Sequence, residues 1–160
     1  IGGGMALALW AWWGRYPGWK LADLMALGLC FGGAVVWVAA LRQGIAYGRP
    51  QMQGALAHSL PDWHGLAVLR WPVQEVGAIA FLLLGIVLLI LHLRVTWPSG
   101  VLALLALWAM HLILFVLGFF RDDPTILVGT FRLGQLLSLL WLGAAALFLP
   151  ARWQKKEAAR

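Results

Sequence analysis

Residues 75–94, which read EVGAIAFLLLGIVLLILHLR, decide the fold of this chain. Between the charged residues at its two ends, the stretch contains only apolar residues, glycines and one histidine, His92. A helix needs about 20 apolar residues to cross the hydrocarbon core of a bilayer, and this stretch has that length. It therefore predicts a transmembrane helix.

Comparable apolar runs fill most of the remaining chain. They occupy residues 20–42, 98–120 and 125–149, and residues 1–13 have the composition of part of a fifth span. Of the 160 residues, 62% are hydrophobic and 11% are charged, and the mean hydropathy is +0.84. A soluble domain of this length could not bury so much apolar surface. The sequence therefore predicts an all-α, polytopic membrane protein with about five transmembrane helices, which form a single domain over residues 1–160.

The positive charges predict how the helices are oriented in the membrane. Four of the twelve lysines and arginines lie in residues 150–160, and a basic tail directly after a span is typical of the cytoplasmic face. Following the chain back from this tail puts Arg42, residues 43–74 and Arg121 outside and Arg15, Lys20 and Arg94 inside, which gives seven positive residues in the inside segments and four in the outside segments. We therefore expect a basic cytoplasmic tail over residues 150–160 and an extracytoplasmic loop over residues 43–74. Because no basic groove or helix face carries the net charge of +6, nucleic acid is not an expected partner.

Few residues in the predicted spans could bind a metal or a cofactor. Cys30 is the only cysteine, which excludes a disulfide framework and a cysteine–histidine zinc site. His92 and His111 each lie in a span, where a histidine can bind haem or the magnesium of a chlorin. Antiparallel packing would offset them by about 15–20 Å along the membrane normal, so they could not share one haem, although each could bind a separate pigment. We assign no cofactor and no metal, and a pigment- or haem-complex subunit stays as one hypothesis.

Polar residues inside the spans need partners, because a charge at membrane depth costs about 2.5–3.5 kcal/mol. Arg132 lies seven residues into its predicted span and, with Gln135 and Ser138, forms a stripe on one helical face. This stripe predicts contact with a neighbouring helix or a cavity. For Arg132 alone, the alternative is that its side chain extends to the outer surface.

Three stretches contain recognisable motifs, and a fourth contains a weaker one. They are Gly2-Gly3-Gly4 with Leu21-Ala22-Asp23-Leu24; Gly44-Ile45-Ala46-Tyr47-Gly48-Arg49-Pro50; Phe119-Phe120-Arg121 with Arg132-Leu133-Gly134-Gln135-Leu136-Leu137-Ser138; and, more weakly, Arg70-Trp71-Pro72-Val73-Gln74. They resemble motifs of the bacterial prolipoprotein diacylglyceryl transferase family, which moves diacylglycerol from phosphatidylglycerol onto a lipobox cysteine. The resemblance implies seven spans, with the N-terminus outside and the C-terminus inside. If the first two of these seven spans are left out, five spans remain, and the first of them starts outside. This matches the five spans predicted above, so we expect about seven spans in the full-length protein.

The residues that the family's chemistry requires are largely replaced. Carried over by position, two essential arginines of the family fall on Trp37 and Leu114. The signature asparagine falls on Ala40, and two glutamates fall on Ile45 and Gly118. The transfer needs cations that hold the phosphoglycerol head group and a polar group that helps to activate the thiol, and these side chains supply neither. No catalytic residue is therefore assigned.

The motif stretches still contain polar residues that could bind an anionic lipid head group, namely Arg49, Arg121, Arg132 and Gln135. Our first hypothesis is a divergent, non-catalytic member of the family in the bacterial cytoplasmic membrane, which binds lipid or serves as an accessory subunit of a membrane assembly. The second is an active transferase whose catalytic groups have moved or lie upstream of residue 1. The expected partners are an anionic phospholipid such as phosphatidylglycerol and other membrane-protein subunits.

Overall fold

The computed structural model describes residues 17–52, 56–61 and 64–157. These residues contain four long helices: α1 is Gly18–Gln43, α2 is Val73–Arg94, α3 is Val101–Gly118 and α4 is Leu133–Glu157. All four are long and apolar enough to cross a membrane, α4 over its part Leu133–Trp153. The prediction of an all-α, polytopic membrane protein is confirmed. The predicted span 1–13 lies outside the described residues.

Large apolar side chains remain exposed on the outward faces of the helices. Val35 and Val36 on α1, Leu93 on α2 and Leu147 on α4 are each at least 67% exposed. Such surfaces would associate in water, whereas in a bilayer they contact lipid tails of the same polarity. The backbone polar groups are meanwhile satisfied inside each helix, as a membrane requires.

α3 is central among the described helices, because it packs against α1, α2 and α4. α1 and α2 pack side by side, and the main helical neighbour of α4 is α3. Two buried apolar clusters fill the interior, one that includes Cys30, Leu88 and Leu102 and another that includes Trp37 and Phe81.

The contact between α1 and α2 is built from aromatic rings that lie against glycines. The three pairs are Phe81 with Gly33, Trp37 with Gly77, and Phe31 with Gly85. A Cβ atom added to any of these glycines would come within 3.0 Å of the facing ring. Glycines let helix backbones approach closely in a membrane, where packing rather than exclusion of water drives association.

The start of α1 and the end of α4 meet at one end of the bundle, which we call the tryptophan end. The guanidinium carbon of Arg152 lies 3.7 Å from the ring centroid of Trp19, and the ring centroids of Trp97 and Trp153 are 5.8 Å apart. Amphipathic indoles and arginines are typical of the boundary between hydrocarbon and head groups.

At the tryptophan end, Asp23 connects α1 to the start of α3. Its Oδ2 accepts the backbone N–H of Gly100 and its Oδ1 accepts that of Ala103, both at 2.8 Å. The carboxylate thus satisfies two donors at the N-terminus of α3 and interacts favourably with the helix dipole.

The opposite end, which we call the arginine end, carries two antiparallel hairpins. The first pairs β1 (His58–Pro61) with β2 (Ala67–Arg70), and the second pairs β3 (Leu127–Val128) with β4 (Phe131–Arg132). The predicted loop 43–74 therefore contains the first hairpin and connects α1 to α2.

The predicted span 125–149 is wrong at its start. Residues 127–132 form the second hairpin, which turns at Gly129 with φ 64°, and α4 begins only at Leu133. A positive φ is open to glycine and does not occur inside an α-helix. Arg132 therefore ends a strand at the entrance of α4 and does not lie seven residues inside a span. At its other end α4 continues through Pro150, so the predicted tail begins as helix.

Candidate functional site

A cavity of about 170 Å³, lined in part by polar side chains, lies where the end of α3 meets the start of α4. Its lining residues are Leu114, Gly118, Arg121, Thr125, Arg132, Gly134, Gln135 and Ser138. Three of the predicted head-group residues, Arg121, Arg132 and Gln135, therefore share one cavity. Together with Asp123, which contacts both arginines, we call these residues the arginine site.

Asp123 holds the two arginines of the site together. Its Oδ1 accepts a hydrogen bond from Nε of Arg121 at 2.8 Å and its Oδ2 accepts one from Nη2 at 2.6 Å, which makes a bidentate pair. Nη1 of Arg132 lies 3.3 Å from the same Oδ1. The side chains of Asp123 and Arg132 are each 15% exposed, against 31% for Arg121. Solvent therefore screens these partly buried pairs less than ordinary surface ion pairs.

Arg132 joins the second hairpin to the turn that follows α3. Its Nη1 donates to the backbone oxygen of Asp123 at 2.9 Å, and its Nη2 donates to that of Arg121 at 2.6 Å. The backbone N–H of Arg132 donates to Oε1 of Gln135 at 2.9 Å, at the first turn of α4. Arg132 is thus bonded inside the protein, and the alternative that its side chain extends freely to the surface is wrong.

Gln135 is 2% exposed and lies between α3 and α4. Its Nε2 donates to the backbone oxygen of Phe115 at 3.2 Å. A Cβ atom at Gly118 would lie 2.5 Å from Cγ of Gln135, so the glycine leaves the space that this side chain fills. Ser138 is also buried, and its hydroxyl donates to the backbone oxygen of Gly134 in its own helix at 2.8 Å. Gln135 and Ser138 therefore face α3 and the cavity, as the stripe predicted.

Backbone hydrogen bonds join three distant stretches beside the site. The N–H of Arg49 donates to the oxygen of Phe120 and that of Asp122 to the oxygen of Tyr47, both at 2.9 Å. The N–H of Trp71 donates to the oxygen of Arg49 at 3.1 Å. Three motif-bearing stretches of the sequence thus meet at the arginine end.

Gly48 and Arg70 fix this meeting point. A Cβ atom at Gly48 would overlap the backbone oxygen of Trp71, so only glycine permits the approach. Arg70 is buried, its Nη1 donates to the oxygen of Gly48 at 3.3 Å, and its guanidinium carbon lies 4.5 Å from the ring centroid of Tyr47. Arg70 begins the weaker motif but was not among the predicted site residues.

The fourth predicted head-group residue, Arg49, lies at the outer edge of the site. Its backbone is paired on both sides, but its side chain is exposed and does not line the cavity. Asp123, in contrast, was not predicted, and its place two residues after Arg121 in a turn was the available signal.

The two histidines considered as cofactor ligands lie on different helices. His92 is exposed in the last turn of α2. His111 is half-buried on α3, where its Nδ1 donates to the backbone oxygen of Leu107 at 2.8 Å and leaves Nε2 as the nitrogen that could bind a metal. Within the described residues, no group of three or more His, Cys, Asp or Glu side chains could hold a metal ion. Pigment binding by either histidine stays a prediction.

The sequence model of the prolipoprotein diacylglyceryl transferase family matches residues 1–150. The chain belongs to the prolipoprotein diacylglyceryl transferase family. The match covers every motif stretch and the whole arginine site, so the resemblance read from the sequence is confirmed. No curated protein matches the chain.

In this transferase-family chain, the positions on which the resemblance places two essential arginines border the arginine site. Leu114 lines the cavity, and the ring centroid of the buried Trp37 lies 5.9 Å from the guanidinium carbon of Arg121. Gly118, at the position of a family glutamate, also lines the cavity. Uncharged residues therefore stand next to the cations that remain.

Proposed function

We propose that this member of the prolipoprotein diacylglyceryl transferase family binds the head group of an anionic phospholipid at the arginine site without transferring its diacylglycerol. The observation that carries the proposal is the placement of Arg121, Arg132 and Gln135 on one cavity at the end of an apolar helical bundle. The ligand is a phosphodiester lipid such as phosphatidylglycerol. The protein acts in the bacterial cytoplasmic membrane as a lipid-binding or accessory subunit of a membrane assembly.

An anionic head group suits this site in charge and in geometry. Two arginines and one aspartate leave the site with a single net positive charge. Guanidinium groups bind phosphate oxygens with the same bidentate geometry with which they bind carboxylate oxygens. Nη1 of Arg121 and Nε of Arg132 donate no hydrogen bond to the part of the chain that the structure describes, which leaves them for a ligand.

The replaced residues argue against transfer. Losing a preorganised donor to the reacting group typically costs a factor of about 100–1,000 in rate. Trp37 and Leu114 supply no charge where the resemblance requires arginine, and Gly118 supplies no carboxylate. An active transferase is the second candidate, and the family match over residues 1–150 favours it.

Arg132 provides the first test, because lysine keeps its charge and loses its planar fork. For the protein purified in mild detergent, we expect Arg132→Lys to lower both the co-purifying phosphatidylglycerol and the melting temperature. Arg132→Leu removes the three side-chain bonds of this arginine and should cost about 3–5 kcal/mol of stability, the range for removing one partner of a buried ion pair.

Two variants serve as controls for this measurement. Arg94→Gln removes an exposed charge at the end of α2, far from the site, and should leave lipid content and melting temperature unchanged. Arg49→Leu should retain most of the lipid, because its side chain lies outside the cavity. A lysine variant that matches the wild type in both readouts would contradict the proposed role of Arg132.

A further inference from the structure

We propose that Asp123 is an internal competitor for the ligand of the arginine site and thereby sets both its affinity and its charge selectivity. The inference rests on the proposed function, since it concerns how the same site admits an anion. Its basis is the position of the carboxylate, which occupies the edge of Arg121 that a bound phosphate would take.

The geometry of the pair matches the geometry of a ligand contact. Both oxygens of Asp123 are engaged, at 2.8 Å from Nε and 2.6 Å from Nη2 of Arg121. Two parallel bonds to one edge of a guanidinium are also how arginine holds a phosphate. A ligand that needs this edge must displace the carboxylate, whereas one that leaves it in place binds the N–H groups that face away from Asp123, such as those of Nη1 of Arg121.

The surroundings allow the carboxylate to move while the backbone stays fixed. The backbone oxygen of Asp123 accepts from Arg132 at 2.9 Å, and the preceding N–H of Asp122 donates to Tyr47 at 2.9 Å. Asp123 also lines a second cavity of about 380 Å³, whose other lining residues are Ile45, Ala46, Tyr47 and Pro124. Rotation of one side chain towards this space would free Arg121 without unfolding the turn.

The charge balance predicts selectivity. With the carboxylate in place, Arg121 and Arg132 carry one net positive charge, which matches a phosphodiester with one negative charge. Without it they carry two, which favours a phosphomonoester with more negative charge. Asp123 therefore disfavours phosphatidic acid more strongly than phosphatidylglycerol.

The test measures binding of short-chain phosphatidylglycerol and phosphatidic acid to the intact protein in phosphatidylcholine nanodiscs. Asp123→Asn and Asp123→Ala both remove the charge, and Asp122→Asn removes the neighbouring exposed charge as the control. We expect both Asp123 variants to bind phosphatidylglycerol at least about tenfold more tightly and to gain more for phosphatidic acid, because repulsion between like charges about 4 Å apart is worth roughly fivefold even in bulk water and more at a protein surface. The Asp122 variant should bind like the wild type.

The outcomes separate this inference from the proposed function. Wild-type binding with no gain in either Asp123 variant would overturn the competitor role and leave the lipid site standing. If the Asp123 variants bind lipid and the wild type does not, competition by Asp123 is supported and lipid binding by the native site is contradicted. If neither the wild type nor the Asp123 variants bind lipid, both the competitor role and the proposed function are overturned. If an Asp123 variant is too unstable for titration, the rise in its melting temperature on adding phosphatidylglycerol replaces affinity: a larger rise than in the wild type supports the inference, and an equal or smaller one overturns it.

Discussion

At the scale of single residues, charged side chains at both ends of the bundle are bonded to the backbone of another element. Asp23 accepts two N–H groups at the start of α3, and Arg132 donates to two backbone oxygens of the turn that follows α3. A buried charge without such partners would cost several kcal/mol. These charges therefore position the ends of the helices.

The ion pair between His58 and Glu75 makes stability depend on pH. Nε2 of His58 lies 2.8 Å from Oε1 of Glu75, and this hydrogen bond, followed by one to the backbone oxygen of Leu56, raises the pKa of His58 above 6.5. A raised pKa means that the folded state favours the protonated form, so the stabilisation is complete below pH 6.5 and is lost as the pH rises through the raised pKa. The effect should be small, because the side chain of His58 is 52% exposed.

Thermal unfolding of the wild type and of His58→Gln between pH ~5.5 and ~8.5 measures this contribution. The glutamine variant cannot titrate at this position, so the stability difference between the two proteins should shrink as the pH rises. A difference that is independent of pH would contradict the assigned role of the pair.

Part of the arginine site was predictable from single residues. Arg121, Arg132 and Gln135 stood out because polar residues within or beside apolar runs need partners. Asp123 did not, because a carboxylate in a polar turn is usually solvated, and only the fold shows that two arginines converge on it. Arg49 was chosen from its motif, but the motif could not show that its backbone, rather than its side chain, makes the contacts.

At the scale of elements, the start of α4 shows where apolar runs are ambiguous. Residues 125–133 are mostly apolar and directly continue into the helix, so length and composition favour one span. The left-handed Gly129 and the bonds of Arg132 to the preceding turn instead stabilise a hairpin there. Tertiary contacts decided this boundary, and they cannot be read from hydropathy.

The glycine contacts between α1 and α2 lead to a prediction with a matched control. A Cβ atom at Gly33 would overlap the ring of Phe81, whereas one at the adjacent Gly32 would meet nothing within 4 Å. We expect Gly33→Ala to cost about 1–3 kcal/mol through overpacking. Gly32→Ala should be neutral or stabilise by up to about 1 kcal/mol, because alanine is the better helix former. Melting temperatures in one detergent compare the two, and equal effects would show that the ring of Phe81 does not pack as described.

At the scale of the whole molecule, the two ends of the bundle differ in chemistry. Trp19, Trp97, Trp153 and Arg152 lie at the tryptophan end, and the arginine site and both hairpins lie at the other. The positive charges in the connections predict that the tryptophan end is cytoplasmic. The arginine site would then face the extracytoplasmic leaflet.

This orientation can be checked with reporters fused after Arg160. We expect activity from a reporter that works only in the cytoplasm and none from one that works only outside it. A clear extracytoplasmic signal would reverse the orientation of every helix and put the arginine site at the inner leaflet.

The proposed function of the arginine site is to bind an anionic phospholipid without transferring its diacylglycerol. The most direct measurement incubates the intact protein with phosphatidylglycerol and a lipobox peptide and follows the mass of the peptide. Because each missing preorganised donor costs a factor of about 100–1,000, we predict no diacylglyceryl adduct above the background of a protein-free sample, while phosphatidylglycerol remains bound to the protein. A peptide that gains one diacylglyceryl group in a phosphatidylglycerol-dependent manner would contradict the claim and identify the protein as an active transferase.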